Sequence, residues 1–313
     1  MLAKVSRPEV ATAFMSPPPQ RLVQRLVDAG DLTPDEAAAA ADLPVSHDVC
    51  VESDSGGHTD AGVALVLLPA MLRLRDGIAA KHDYTEPVRV GAAGGLGSPE
   101  AVAAAFVLGA EFVVTGSVNQ CTPEAGTSDT VKDLLSRLDV QDTTYAPAGD
   151  LFELGARVQV VRKGTLFPVR AERLYQVYRR YGSLEEIEPG TRRQIEDEYF
   201  GRSFDDVWAE TRDYLAERHP DELRRAERDP RRRMVLVFRW YFRRSTELAL
   251  SGEREDTVDH QIHCGPAMGS FNRWVAGTDL EDWRARHVDV VADRLMTAAA
   301  AVLHDRIARL AQL

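Results

Sequence analysis

The sequence predicts an α/β protein: parallel strands alternate with helices in its first part, and helices dominate the second. Short, branched apolar runs recur as LAKVS at Leu2 to Ser6, VCVE at Val49 to Glu52, VRVG at Val88 to Gly91 and FVVTG at Phe112 to Gly116, each of strand length. The segments between them are long enough for the helical crossovers that parallel neighbours require. The last three runs lead directly into glycine-bearing loops: SDSGGHTD (Ser53 to Asp60), AAGGLGSPE (Ala92 to Glu100) and TGSVNQ (Thr115 to Gln120). In parallel α/β folds such strand ends are where ligands gather, so three of them predict one shared site.

Taken in order, LAKVS is the first strand and Ser16-Pro17-Pro18-Pro19 a linker into a helix from about Pro19 to Ala29. A second helix is expected from Pro34 to Ala41, with Thr33 as its N-cap and Pro34 at its first position. The apolar stretch from Ala61 to Leu72 reads as a buried segment, too short to span a bilayer. From about residue 170 onward, charged and aromatic residues recur at helical spacing, which predicts a boundary between residues 1–168 and a helical region at 169–313. Within that region, Asp221 to Arg233 carries six arginines and four acids. It reads as a solvated, salt-bridged helix or as a docking surface for an acidic carrier protein. Met234 to Phe242 reads as a buried anchoring helix.

Composition narrows the function classes. The 313 residues carry 38 Lys and Arg against 49 Asp and Glu, a formal charge of -11, which argues against duplex nucleic acid as a partner. The first residues lack the continuous apolar core of a signal peptide, and no apolar window is long enough for a membrane span. Three scattered cysteines do not make a disulfide framework, so the expected setting is the reducing cytoplasm.

Three loops carry candidate chemistry. Gly94, Gly95 and Gly97 let the backbone approach a ligand closely, Ser98 is placed to cap the next helix and Pro99 to begin it. That pattern suits either a phosphate cradle or an ordinary tight β-to-α turn. Gly116 and Ser117 offer an amide and a hydroxyl one strand later, for the same phosphate or for a structural turn. Gly56 and Gly57 leave room for a flat ligand beside His58, a group that exchanges protons near neutral pH, and Asp54 or Asp60 is near enough in sequence to orient it. His58 also fits a loop-fixing role or a metal ligand. Cys121 reads as packed. His260, His263 and Cys264 have some metal-like spacing but no evident fourth ligand, so no metal is expected. Asn272 and Trp274 read as the continuation of a capped helix.

Taken together, these segments closely resemble the flavin-dependent enoyl reductases associated with polyunsaturated fatty acid and polyketide synthases, a branch of the nitronate monooxygenase-like barrel family. The resemblance is carried by AKVSRPEVA at Ala3 to Ala11, SDSGGHTD, VGAAGGLGSPEA at Val90 to Ala101, VTGSVNQCTPEAGTSD at Val114 to Asp129, KGTLFPVRA at Lys163 to Ala171 and CGPAMGSFNRWV at Cys264 to Val275. It implies an FMN-binding (β/α)8 TIM barrel followed by a helical accessory region. With only four parallel strands legible, it implies the C-terminal half of that barrel, completed by a missing segment or by a partner subunit. It also implies that Gly94 and Gly95 with Ala92, then Gly116 and Ser117, hold the FMN phosphate, that Gly56 and Gly57 line the cofactor, and that His58 is catalytic. NADPH is the implied electron donor and the acyl carrier protein domains of a synthase are the implied partners. Asp54-Ser55 and Val51 depart from the nitronate-oxidising relatives, which favours enoyl reduction over the alternative of nitronate oxidation. A noncatalytic subunit that completes another protein's barrel is the remaining alternative.

Overall fold

A computed structural model describes residues 1–252 and 257–312. Its strands, among the described residues, are β1 (Leu2–Val5), β2 (Asp48–Glu52), β3 (Gly57–His58), β4 (Arg89–Ala93), β5 (Val113–Val114), β6 (Thr143–Pro147) and β7 (Arg157–Val161). They form two sheets, and the chain divides into two compact units.

The first unit comprises Met1–Ser55, Thr59–Pro123 and Pro266–Leu313. Its sheet is parallel, in the order β1-β2-β4-β5, so all four expected strands are present. Val49, Cys50 and Val51 are all buried, the continuous apolar run of a parallel strand covered on both faces. Helices Gln20–Asp28 and Pro34–Ala40 lie where expected. At the second, Thr33 accepts from the Glu36 amide while the Glu36 carboxylate accepts from the Thr33 amide, a complete capping box. Helix Pro8–Met15 was not anticipated; its short apolar face buries only Ala11 and Met15, too few positions to register as a period. The Ala61 to Leu72 stretch is corrected: it opens the helix Ala64–His82, which buries Leu68, Met71 and Ile78 but exposes Leu65 and Val66, and Val63 before it is exposed too. A helix turns residues one or two apart to different faces, so an apolar run is not buried throughout. Helix Val288–Leu310 packs on Pro99–Val107 and adds Leu295 and Ala299 to the same core.

The second unit comprises Gly56–His58 and Glu124–Gly265. The division therefore differs from the one expected at residue 168: residues 124–168 pack with the helices that follow them, and residues 266–313 return to the parallel sheet. β6 and β7 pair antiparallel, with Tyr145 opposite Gln159, and β3 pairs with the other edge of β7. These strands were not among those expected, since no helical crossover separates β6 from β7 and β3 is only two residues long. The helices Phe167–Arg180, Phe204–Arg218 and Pro230–Ser251 were legible and enclose an aromatic core. Phe152 lies edge-on to Phe242 at 5.4 Å and Phe167 stacks on Tyr241 at 6.0 Å, arrangements that add to burial. Met234, Val235, Val237, Phe238 and Tyr241 are all buried, as the anchoring helix requires. The arginine-rich run is a salt-bridged surface: Arg224 pairs with Asp221, Arg232 with Glu153 and Glu222, and Arg233 with Glu185 and Asp205.

The observed architecture is thus α/β, with one small parallel sheet, one small antiparallel sheet and a helical bundle. The parallel sheet is open, with β1 and β5 as its edges.

Candidate functional site

In the first unit the loops after β4 and β5 lie at the same end of neighbouring parallel strands, because Ala92 registers with Val113 and Ala93 with Val114. Gly94 and Gly95 follow directly, with φ of +91° and +73°, a region that disfavours side chains. The two glycines do different things. A Cβ on Gly94 would fall 2.6 Å from the Ser53 carbonyl oxygen, so this residue lets two loops of the unit touch. Positions for a Cβ at Gly95 and Gly116 have no heavy atom within 4 Å, so both face open space. Ser98 accepts from the Ala101 amide and Pro99 begins the helix Pro99–Val107, as expected. Ser117 is buried at the start of the 3-10 turn Ser117–Cys121. Ala92 is buried in its strand. Two open glycines, a helix start and a hydroxyl-bearing turn on adjacent strand ends fit a phosphate group.

The second unit gathers side chains, and β7 is the template. His58 registers with Val158 on β7, and His263 bridges to Val160 on that same edge, since β6 takes the other one. The Ile262 carbonyl accepts from the Val161 amide at 2.9 Å, which fixes the segment bearing His263. The two imidazoles are perpendicular, with centroids 6.3 Å apart. They face a cavity of about 330 Å³ that Asp150, Arg239, Phe242 and Gln261 help to line.

Within this cavity, His58 Nε2 lies 2.8 Å from Asp150 Oδ1. Burial works against the Asp150 carboxylate, but the hydrogen bond and charge of His58 outweigh it and hold the carboxyl below its ordinary range. Arg239 donates to the Asp150 carbonyl oxygen and, at 2.7 Å, to Glu153, which anchors the loop that carries Asp150. Gly149 lets that loop approach the helix, since a Cβ there would fall 2.7 Å from Phe242 Cβ. Burial pushes the His263 pKa down, with the charge of His58 adding to it, so this second imidazole stays neutral. The Gln261 side-chain amide lies 2.7 Å from His263 Nε2, within hydrogen-bonding distance.

Several expectations change. Neither acid near His58 in sequence orients it: Asp54 accepts from Thr59 Oγ1, and Asp60 is held by Arg7 and Ser6. The space beside Gly56 is taken by protein, because a Cβ there would lie 2.8 Å from the Cys264 backbone. Gly57, with φ of +89°, faces the His263 ring at 3.6 Å from its Cβ position. Cys121 is fully buried, and Asn272 sits in the helix Ala267–Val275, where its Oδ1 accepts from Arg286 at 2.9 Å. Among the described residues no cluster of three His, Cys, Asp or Glu side chains is arranged to hold a metal.

Asp150, Gln261 and Arg239 escaped the sequence reading. For Asp150 a signal existed: TTYAPAGD is a β-rich run ending in a glycine-bearing loop, the same pattern that singled out the other three loops. Gln261 and Arg239 have no local signal.

Residues 181–260 match the family model described as "[Acyl-carrier-protein] S-malonyltransferase, inserted helical domain". Over 308 residues the chain is 52% identical to the polyketide biosynthesis protein PksE of Bacillus subtilis, covering 98% of this chain and 40% of that protein. It is 43% identical over 286 residues to a component of the polyunsaturated fatty acid synthase of Thraustochytrium, covering 90% of this chain and 14% of that one. The chain therefore spans less than half the length of either relative. Among solved structures, the enoyl reductase domain of MlnA from the macrolactin cluster of Bacillus amyloliquefaciens superposes with a TM-score of 0.93 at 46% identity, over 99% of this chain and 69% of that one. On this likeness, the chain belongs to the nitronate monooxygenase-like flavoenzyme family, in the branch of polyketide and polyunsaturated fatty acid synthase enoyl reductase domains.

Proposed function

We propose that this protein reduces carrier-bound 2-enoyl thioesters in polyketide or polyunsaturated fatty acid assembly, with FMN as its cofactor, NADPH as electron donor and acyl carrier protein domains as partners. The observation that carries this reading is the likeness, over nearly the whole chain, to a solved enoyl reductase domain. The higher identity to PksE than to the fatty acid synthase component favours the polyketide setting.

When bound, FMN supplies hydride transfer from the nicotinamide to the β-carbon of the unsaturated thioester. The chain's own residues supply the rest. Gly95, Gly116 and Ser117 form the phosphate cradle, set in place by Ala92 in its strand and by the close loop packing at Gly94, and the open sides of Gly95 and Gly116 admit an anion against backbone amides. His58 is the catalytic residue for the proton that the α-carbon must receive. With Nε2 engaged by Asp150, Nδ1 is the ring nitrogen left for that transfer. Asp150 is thus a positioning residue, and burial disfavours the charged form of the neighbouring His263.

The parallel sheet is read as part of a (β/α)8 barrel. Its two free edges and the exposed Val63, Leu65 and Val66 favour completion by further strands, from the same polypeptide or from a partner subunit. The expected setting remains the cytoplasm.

The test is anaerobic oxidation of NADPH by the FMN-loaded protein, with its completing strands present, on carrier-bound and simple enoyl thioesters. Thioester-dependent turnover is expected. A flavin-loaded protein that turns over neither substrate refutes the reading, and nitronate-dependent oxygen uptake by that sample points instead to the oxidising branch.

A further inference from the structure

The helix Pro230–Ser251 places Arg239 and Arg243 one turn apart, and both line the His58 cavity. The same two side chains line a second cavity of about 210 Å³, with Glu210, Thr211, Tyr214, Leu215, Leu236 and Trp240. The pair therefore stands between a cavity holding the histidines and a largely apolar one.

Their commitments differ. Arg239 is tied to the loop that orients His58, through the Asp150 carbonyl and Glu153. Arg243 is half exposed and, among the described residues, is held only by Glu210 at 3.1 Å and Glu247 at 3.8 Å, both well exposed. Exposed pairs of this kind contribute little, so an incoming anion displaces them at small cost. Release of Arg243 leaves no orphan, because Glu210 also accepts from Arg202 at 2.8 Å and from Trp240 Nε1 at 3.4 Å. A guanidinium on a chain of net charge -11 is also a local attractor for an anion that the remaining surface repels.

We propose that Arg243 binds the phosphate of a phosphopantetheine arm, the group on which carrier proteins present thioesters, so that the thioester enters the His58 cavity past this side chain. The proposal deepens the enoyl reductase reading and rests on it for the identity of the arm. The planar fork of arginine suits phosphate oxygens, and the apolar part of the His58 cavity lining, Val158 and Phe242, suits the branched alkyl part of pantetheine that follows the phosphate.

Calorimetric titration of the full chain with phosphopantetheine and with pantetheine tests the idea without turnover or flavin. Wild type is expected to bind the phosphorylated compound about tenfold more tightly, the scale of one charge-assisted contact. Arg243→Gln should erase that preference, and Arg243→Lys, which keeps the charge and loses the fork, should reduce it to a few-fold. Thermal unfolding of each variant separates lost recognition from lost fold, and the lysine variant carries the test if the glutamine variant does not fold. Equal affinities in wild type, or an undiminished preference in a folded variant, overturn the proposal. A phosphate preference in a protein with no enoyl reductase turnover sinks the functional reading and leaves the docking site standing; turnover without the preference does the reverse.

Discussion

The two units build their chemistry from different materials. In the parallel-sheet unit the candidate phosphate cradle is backbone: glycines at positive φ, a capped helix start and a short turn, all within a few residues of their strands. In the antiparallel unit the cavity is side chains, with imidazole, carboxylate, amide and guanidinium drawn from positions 58, 150, 239, 261 and 263, the two histidines being aligned by one strand. A backbone site tolerates changes of side chain but not of conformation. A side-chain site tolerates neither loss of the group nor loss of what aims it.

The sharpest break of that comparison is His58→Ala. It should lower turnover roughly a hundredfold to ten-thousandfold, the range for removing a positioned acid, while FMN stays bound. Matching losses of flavin and of rate would mean that His58 belongs to cofactor binding instead.

Next in size is the contrast between Gly95 and Gly94. Gly95→Val forces a branched residue to φ of +73°, a strain of roughly 1–3 kcal/mol, and fills open space at the cradle, so FMN affinity should fall tenfold or more. Gly94→Ala should instead lower the unfolding midpoint, because its Cβ meets the Ser53 carbonyl. Flavin titration and thermal unfolding of both variants separate the two roles, and equal FMN affinity for wild type and folded G95V removes the cradle assignment.

A smaller effect is expected for Asp150→Asn, roughly a tenfold loss of rate with flavin affinity unchanged. Because the Asp150 carboxyl is held below its ordinary range, the pair is fully present above that range and is lost as pH falls through the lowered value. The acidic limb of the wild-type rate profile should therefore flatten in D150N. An unaltered limb would show that Asp150 does not act through His58.

The least effect is expected at Asp60, once a candidate orienter of His58. Hydrogen bonds from Arg7 and Ser6 lower its pKa to about 2. Its stabilising contribution is present above the ordinary carboxylate range, so Asp60→Asn should unfold slightly earlier at neutral pH and converge with wild type as pH falls toward about 2. Turnover should not move, and a loss of rate as large as that of D150N would restore Asp60 to the site.

By itself the sequence determined what short-range physics decides. Four parallel strands, the Thr33 cap, the Ser98 helix start, the glycine loops and the buried Met234 to Phe242 helix were all legible, because each depends on residues within a turn or two of one another. Tertiary structure alone decided which groups meet. His58 found its carboxylate 92 positions away rather than two, and Gly56 proved to admit a stretch of backbone more than 200 residues distant. The 124–168 segment joined the helices instead of the parallel sheet. The reason is that β7 pairs on one edge with segments far apart in the chain, and no local period records which distant strand will take an open row of amides and carbonyls.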